Sequence, residues 1–155
     1  MFGFILVSFL SLVRANDVIS ECTRTATVVA GDTCDKISTR YGVSTFQLAL
    51  VNTPEINENC DDLMPDQVVC LGIADEDCTK VYTVVEGDTC DWIQEMYGMD
   101  ANTLWSNNPQ INAECTNIYT GEVLCVDTDC FAYPEFNQTA FDVVAETYVP
   151  FCDEI

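Results

Sequence analysis

The sequence predicts an α+β protein made of two tandem strand-helix-helix-strand modules, stapled by disulfides. Three observations point there. The stretch VVAGDTCDKISTRYG, Val28 to Gly42, returns 56 residues later as VVEGDTCDWIQEMYG, Val84 to Gly98. Ten cysteines, an even number, accompany a complete lack of histidine. Each copy also runs from an alternating Thr/Val segment, through turn and capping residues, to a second short apolar segment.

The elements follow in order. The chain opens MFGFILVSFLSLVRAND, which reads as a secretory signal peptide over residues 1–15; its apolar run is too short for a bilayer-crossing helix of ~20 residues. RTATVV and KVYTVV alternate in polarity and are strands that open the modules. Gly-Asp-Thr then turns the chain, with Asp32 or Thr33, and Asp88 or Thr89, placed to cap a helix. Ile37 and Tyr41, like Ile93 and Tyr97, stand four apart on one face of it, and Gly42 or Gly98 follows where a left-handed cap is needed. Ser44 with Gln47, and Asp100 in the second copy, open a second helix that ends near Asn52 and Pro54, or Asn108 and Pro109. QVVCL and EVLCV are the closing strands. Module 1 is therefore set at residues 22–71, a linker at 72–77, module 2 at 78–126 and an acidic, aromatic tail at 127–155.

Composition narrows the partners. With 26 acidic and 5 basic residues the formal net charge is −21, so nucleic acid and anionic membrane surfaces are repelled while a neutral ligand is not. The acid excess also serves solubility alone. Metal sites are not expected, because zinc needs close Cys pairs or histidines and the closest pair here is Cys125 and Cys130. Asp75, Asp77 and Glu86 mimic part of a calcium loop, but Lys80 stands where glycine is required. Carboxylate pairs abound without a motif behind them, so no catalytic residue, cofactor or enzyme activity is expected.

The ordered set T-V-V-x-G-D-T-C, then Y-G, then an Asn-Pro element with I-N and C, then V-x-C, occurs twice and resembles the LysM domain. It covers Thr25 to Cys70 and Val81 to Cys125. The first copy departs from the family pattern at Asn-Thr-Pro, and at Met64-Pro65-Asp66, where a glycine is usual. Cysteine placement and the lack of a catalytic domain resemble the secreted fungal LysM effectors. In such a unit the end of the first strand lies beside the start of the last. That geometry pairs Cys34 with Cys60, Cys22 with Cys70, Cys90 with Cys115 and Cys78 with Cys125, leaving Cys130 for Cys152. Spacing alone leaves exchanges among Cys22, Cys78 and Cys130 open.

The resemblance implies a groove for N-acetylglucosamine oligomers, that is chitin, between two loops of each module. In module 1 these are Ala30, Gly31, Asp32 and Thr33 with Pro54, Glu55, Ile56 and Asn57. In module 2 they are Glu86, Gly87, Asp88 and Thr89 with Pro109, Gln110, Ile111 and Asn112. Loop N–H and C=O groups suit an acetamido group, with Ile56 or Ile111 as a seat for its methyl. Gly-Asp-Thr is equally required for turning and capping, and both isoleucines for a core, whether or not anything binds. Trp92 and Trp105 fall in helices, where packing is the simpler use. Asn137-Gln138-Thr139 is a glycosylation acceptor pattern. Phe141, Val144, Ala145 and Tyr148 share a helical face in the tail.

Two linked weak sites for one polymer raise avidity by a factor of ~100 to 10,000, a reason for the doubling. The function expected by resemblance is sequestration of chitin fragments from a host's recognition, or shielding of a fungal wall, outside the cell in the host apoplast or that wall, with a ligand-induced dimer as a further expectation. The alternatives are a cell-wall structural or protein-interaction role, and peptidoglycan binding.

Overall fold

Two antiparallel ribbons, each backed by a pair of short helices, make up the computed structural model, which describes residues 22–53, 55–57, 60–74 and 77–129. The elements are β1 (Cys22–Thr27), α1 (Cys34–Tyr41), α2 (Thr45–Leu50), β2 (Val68–Ile73), β3 (Val81–Thr83), α3 (Cys90–Tyr97), α4 (Ala101–Asn107) and β4 (Val123–Cys125). β1 pairs with β2, Thr27 opposite Val68 and Cys22 opposite Ile73; β3 pairs with β4, Val81 opposite Cys125. The signal peptide, Asn137, Cys130, Cys152, Pro54 and the tail helix of the sequence reading lie outside the described residues.

Helix boundaries come from local chemistry. Thr33 and Thr89, rather than the preceding aspartates, are the N-caps of α1 and α3; their hydroxyls accept from Lys36 N and Trp92 N. Ser44 Oγ accepts from Gln47 N and Asp100 Oδ1 from Thr103 N, opening α2 and α4. Gly42 and Gly98 stop the first helix of each module at φ 63° and 65°. The turn before β4 uses Gly121 at φ 99°, and module 1 forces Asp66 into the same region at φ 68°. The missing glycine of the first copy thus leaves the fold unchanged.

Each module has its own core. Val28, Ile37, Val43, Leu48, Ile56 and Val69 close the first; Val84, Ile93, Leu104, Ile111, Leu124 and Val126 close the second. Fully burying side chains of this size contributes ~1.5–3 kcal/mol each, which so small a unit supplements with covalent ties. The pairs are Cys22–Cys70, Cys34–Cys60, Cys78–Cys125 and Cys90–Cys115, and no free cysteine stands among the described residues. Tyr41 departs from the sequence pattern: Ile37 is in the core, while Tyr41 is exposed with the Arg40 guanidinium over its ring.

A repeated asparagine completes each unit. Asn52 Nδ2 donates to Leu48 O and Cys70 O while its Oδ1 accepts from Cys70 N; Asn108 does the same with Leu104 O, Cys125 O and Cys125 N. The end of the second helix is thereby sewn to the outer edge of the closing strand.

The stretch read as a linker, 72–77, is partly strand, since β2 continues to Ile73. Its end is fixed too. Asp77 receives Arg24 Nε and Nη2, both at 2.6 Å, and Gln47 Nε2 at 2.8 Å, while Gln47 Oε1 accepts from Cys78 N. The modules also meet face to face, with Thr45 Oγ1 accepting from Val123 N and Tyr119 Oη donating to Asp35 Oδ1. The sequence left this packing undetermined.

Candidate functional site

The turn of module 1 is built by its own side chains. Gly31 sits at φ 86°, which L side chains adopt only with strain, and lets the chain double back after β1. Asp32 Oδ2 accepts from Val29 N and its backbone N–H donates to Val29 O. Arg40 clamps the same carboxylate from α1 through both Nη atoms, at 2.7 and 3.0 Å. The Arg40 hydrogen bond, with that of Val29, holds the Asp32 carboxyl below its ordinary range. Lys36 reaches back over the turn to donate to Gly31 O at 2.8 Å.

Module 2 makes the same turn with different neighbours. Gly87 takes φ 91°, and Asp88 Oδ2 accepts from Val85 N and from Tyr82 Oη at 2.7 Å. Partial burial and the Asp88 carboxylate push the Tyr82 phenol up to about 12. Trp92 and Met96 occupy the positions of Lys36 and Arg40.

The facing loops are stitched in parallel. Asn57 N donates to the Asp62 carboxylate and Asp61 N to Asn57 Oδ1; Asn112 N donates to Asn117 Oδ1 and Thr116 N to Asn112 Oδ1. Trp105, half-buried behind the second loop, donates its indole N–H to Asn112 O. Cys34–Cys60 and Cys90–Cys115 join each turn to its facing loop.

Most sequence-assigned site residues therefore use their side chains on the protein itself. Asp32, Thr33, Asp88, Thr89, Asn57 and Asn112 shape loops, and Ile56 and Ile111 are core residues at 2% and 4% exposure. Neither isoleucine therefore offers an open methyl seat. What remains exposed is the main chain of the two turns: among the described residues, the N–H groups of Ala30, Gly31, Glu86 and Gly87 have no partner. Ala30, Glu55 and Glu86 are exposed, and Pro109 is half-buried. Gln110 Nε2 donates to Glu122 Oε1, while Gln110 Oε1 is buried without a partner.

That last contact belongs to a cluster which sequence reasoning missed. Glu122, 4% exposed, accepts from Gln110 and from Tyr119 N. Burial raises its carboxyl, against those two hydrogen bonds, and Asp35 of module 1 adds to the rise. Burial, Asp35 and Glu122 likewise push the Tyr119 phenol well up. The equivalent of Glu122 in the first copy is Gln67, whose Oε1 accepts from Met64 N in the same way. Glutamate for glutamine between the copies was the available signal.

Among the described residues no helix is long and apolar enough to cross a membrane, and no group of three acidic, Cys or His side chains could hold a metal. The LysM domain profile matches residues 26–72 and 82–127. A secreted LysM effector of Trichophyton rubrum is 30% identical over 68% of this chain and 51% of its own length. A secreted LysM effector of Pochonia chlamydosporia is 27% identical over 84% of this chain and 38% of its own. A non-secreted LysM effector of Penicillium expansum is 36% identical over 64% of this chain and 8% of its own. The chain thus spans about half or less of the length of these relatives. They carry effector names, not enzyme names. With both modules matched, and the same strand-helix-helix-strand unit and disulfide ties in each, the chain belongs to the LysM domain family.

Proposed function

We propose that the chain is a secreted binding protein for chitin oligosaccharides, acting as an effector that withholds chitin fragments from host recognition or covers the fungal wall. The observation that carries this reading is the repeated pair of covalently joined loops whose exposed turns carry main-chain N–H donors without a partner among the described residues. The carbonyl of an acetamido group needs a donor, and a turn held rigid by its disulfide offers those N–H groups at little ordering cost. A net charge of −21 is compatible with a neutral sugar. Relatives named as secreted effectors support the extracellular assignment. Site residues in this reading are Ala30 to Thr33 with Pro54 to Asn57, and Glu86 to Thr89 with Pro109 to Asn112. Bridging of two chains by one long oligomer would give a ligand-induced dimer.

A glycan array carrying chitin oligomers, peptidoglycan fragments and cello-oligomers tests the substrate class. Binding confined to chitin oligomers is expected. Binding to peptidoglycan alone redirects the reading to bacterial walls, and binding to none removes it.

A further inference from the structure

The two turns are flanked by opposite chemistry. In module 1 the outer flank is cationic: Lys36 donates to Gly31 O and Arg40 holds Asp32. In module 2 the same two helix positions are Trp92 and Met96, with 44% and 49% of their surfaces exposed. They stand four residues apart and so share one helix face. Behind them, Tyr82 takes the place of the buried Ala26, and its ring lies 6.0 Å from Trp92 and 5.7 Å from Tyr97. Lys80 sits over the outer ring, 6.0 Å from the Tyr97 centroid.

This strip is tied directly to the candidate groove. Tyr82 Oη donates to Asp88 Oδ2, and Trp92 lies in the first turn of the helix that Thr89 caps, its backbone N–H donating to Thr89 Oγ1, so both residues adjoin the turn. Lys36, at the equivalent position, reaches the carbonyl of the turn glycine. A side chain there is within reach of whatever lies along the turn. We propose that Trp92, supported by Tyr82, is a pyranose-stacking subsite that extends the module 2 groove for a β-1,4-linked N-acetylglucosamine oligomer, and that module 1 has no counterpart. This rests on the chitin-binding reading above.

The occupant is argued from charge and shape. Asp88 holds Tyr82, and Glu86, Asp91 and Glu95 are exposed within six residues of Trp92 in the chain, so an anionic partner is repelled. A sugar ring is neutral, and its axial C–H groups carry the partial positive charge that the face of an indole attracts. The ring packing of Tyr82 on Trp92 gives the indole a fixed backing, which lowers the ordering cost of binding.

The test uses the mature, disulfide-bonded chain titrated with chitin hexamer, read by calorimetry and by the Trp92 indole N–H resonance, assigned from its loss in Trp92→Lys. That variant installs the residue that module 1 already tolerates in the same helix, and its fold is checked by melting. The expected result is a Trp92 signal that moves in step with saturation, and an affinity about tenfold weaker in W92K. Trp92→Phe, which keeps a ring, should retain most of the affinity. Wild-type binding with an unmoved Trp92 signal, or W92K binding as tightly as wild type, overturns the subsite and leaves chitin binding intact. So does a Trp92 ring packed against aromatic protons of residues 130–155 and indifferent to sugar. Absence of binding by the folded wild-type chain overturns both.

Discussion

Replacing Glu122 by glutamine should stabilise the protein at neutral pH, although it removes two charge-assisted hydrogen bonds. Glu122 is buried, the Asp35 charge of module 1 adds to the rise of its carboxyl, and no cation among the described residues counters it. Its folded carboxyl is raised by burial. The folded chain therefore binds this proton more readily than the unfolded chain. Wild-type stability from this group is greatest below the unfolded value of about 4.3, and is lost as pH rises through the raised folded value. Glutamine does not titrate. It can still accept from Tyr119 N, as Gln67 does from Met64 N in module 1. Rotation of the Gln110 amide lets its Oε1 accept from the new NH₂ group but turns its own NH₂ into the buried position without a partner, so hydrogen bonding there does not improve. The gain therefore comes from removing a buried charge that no cation offsets, and an uncompensated buried polar group costs about 1–3 kcal/mol or more. A gain of roughly 2 kcal/mol at pH 7 corresponds to a rise in Tm of about 4–8 °C for a chain of this size. The assay is urea unfolding of both proteins from pH 3.5 to 8. The difference curve cancels the other titrating groups. A gain that grows from near zero at the acid end to a plateau by neutral pH is expected; E122Q equal to or less stable than wild type at pH 7 refutes the reasoning.

Three further outcomes follow from the same contacts. Asn108→Ala strands Cys125 N and O at a buried strand edge, so it should cost about 2–4 kcal/mol in urea unfolding, and Asn52→Ala similarly. Asp77→Asn should lower stability at neutral pH and flatten the acid limb. Burial opposes the charge, but Arg24 and Gln47 still hold this carboxyl below its ordinary range. The stability it contributes is thus present above the unfolded value near 3.9 and lost as pH falls through the lower folded value, which acid titration of the two proteins checks. Gly87→Ala meets no atom within 4 Å of the added Cβ but keeps φ at 91°. Strain alone should cost about 1 kcal/mol, and in chitin titration the loss of affinity should exceed that of the same change at exposed Gly98.

The doubled motif made the unit legible, because turn, cap and staple are local chemistry. Gly31, Thr33, Ser44 and Asp100 act where the sequence placed them, and Cys34 meets Cys60 because paired strands bring those chain ends together. Contacts between modules were not legible. Tyr119 meets Asp35 across 84 residues and Val123 meets Thr45 across 78, and neither pair lies within one repeat. Asn52 and Asn108 were visible as repeated residues, but their role depends on a strand edge some 18 residues away. At the candidate site the joining of each turn to its facing loop was legible and the division of labour among the side chains was not. Asp32 looked like a ligand group in a turn, yet its carboxylate is held by Arg40 eight residues on, and in module 2 Tyr82 takes that part.

The most direct measurement is calorimetric titration of the folded, disulfide-intact chain with chitin hexamer, with cellohexaose as the control that lacks acetamido groups. Saturable binding of chitin hexamer and none of cellohexaose is the predicted result. No heat with chitin hexamer, or equal binding of the two sugars, contradicts an acetamido-reading groove in these modules.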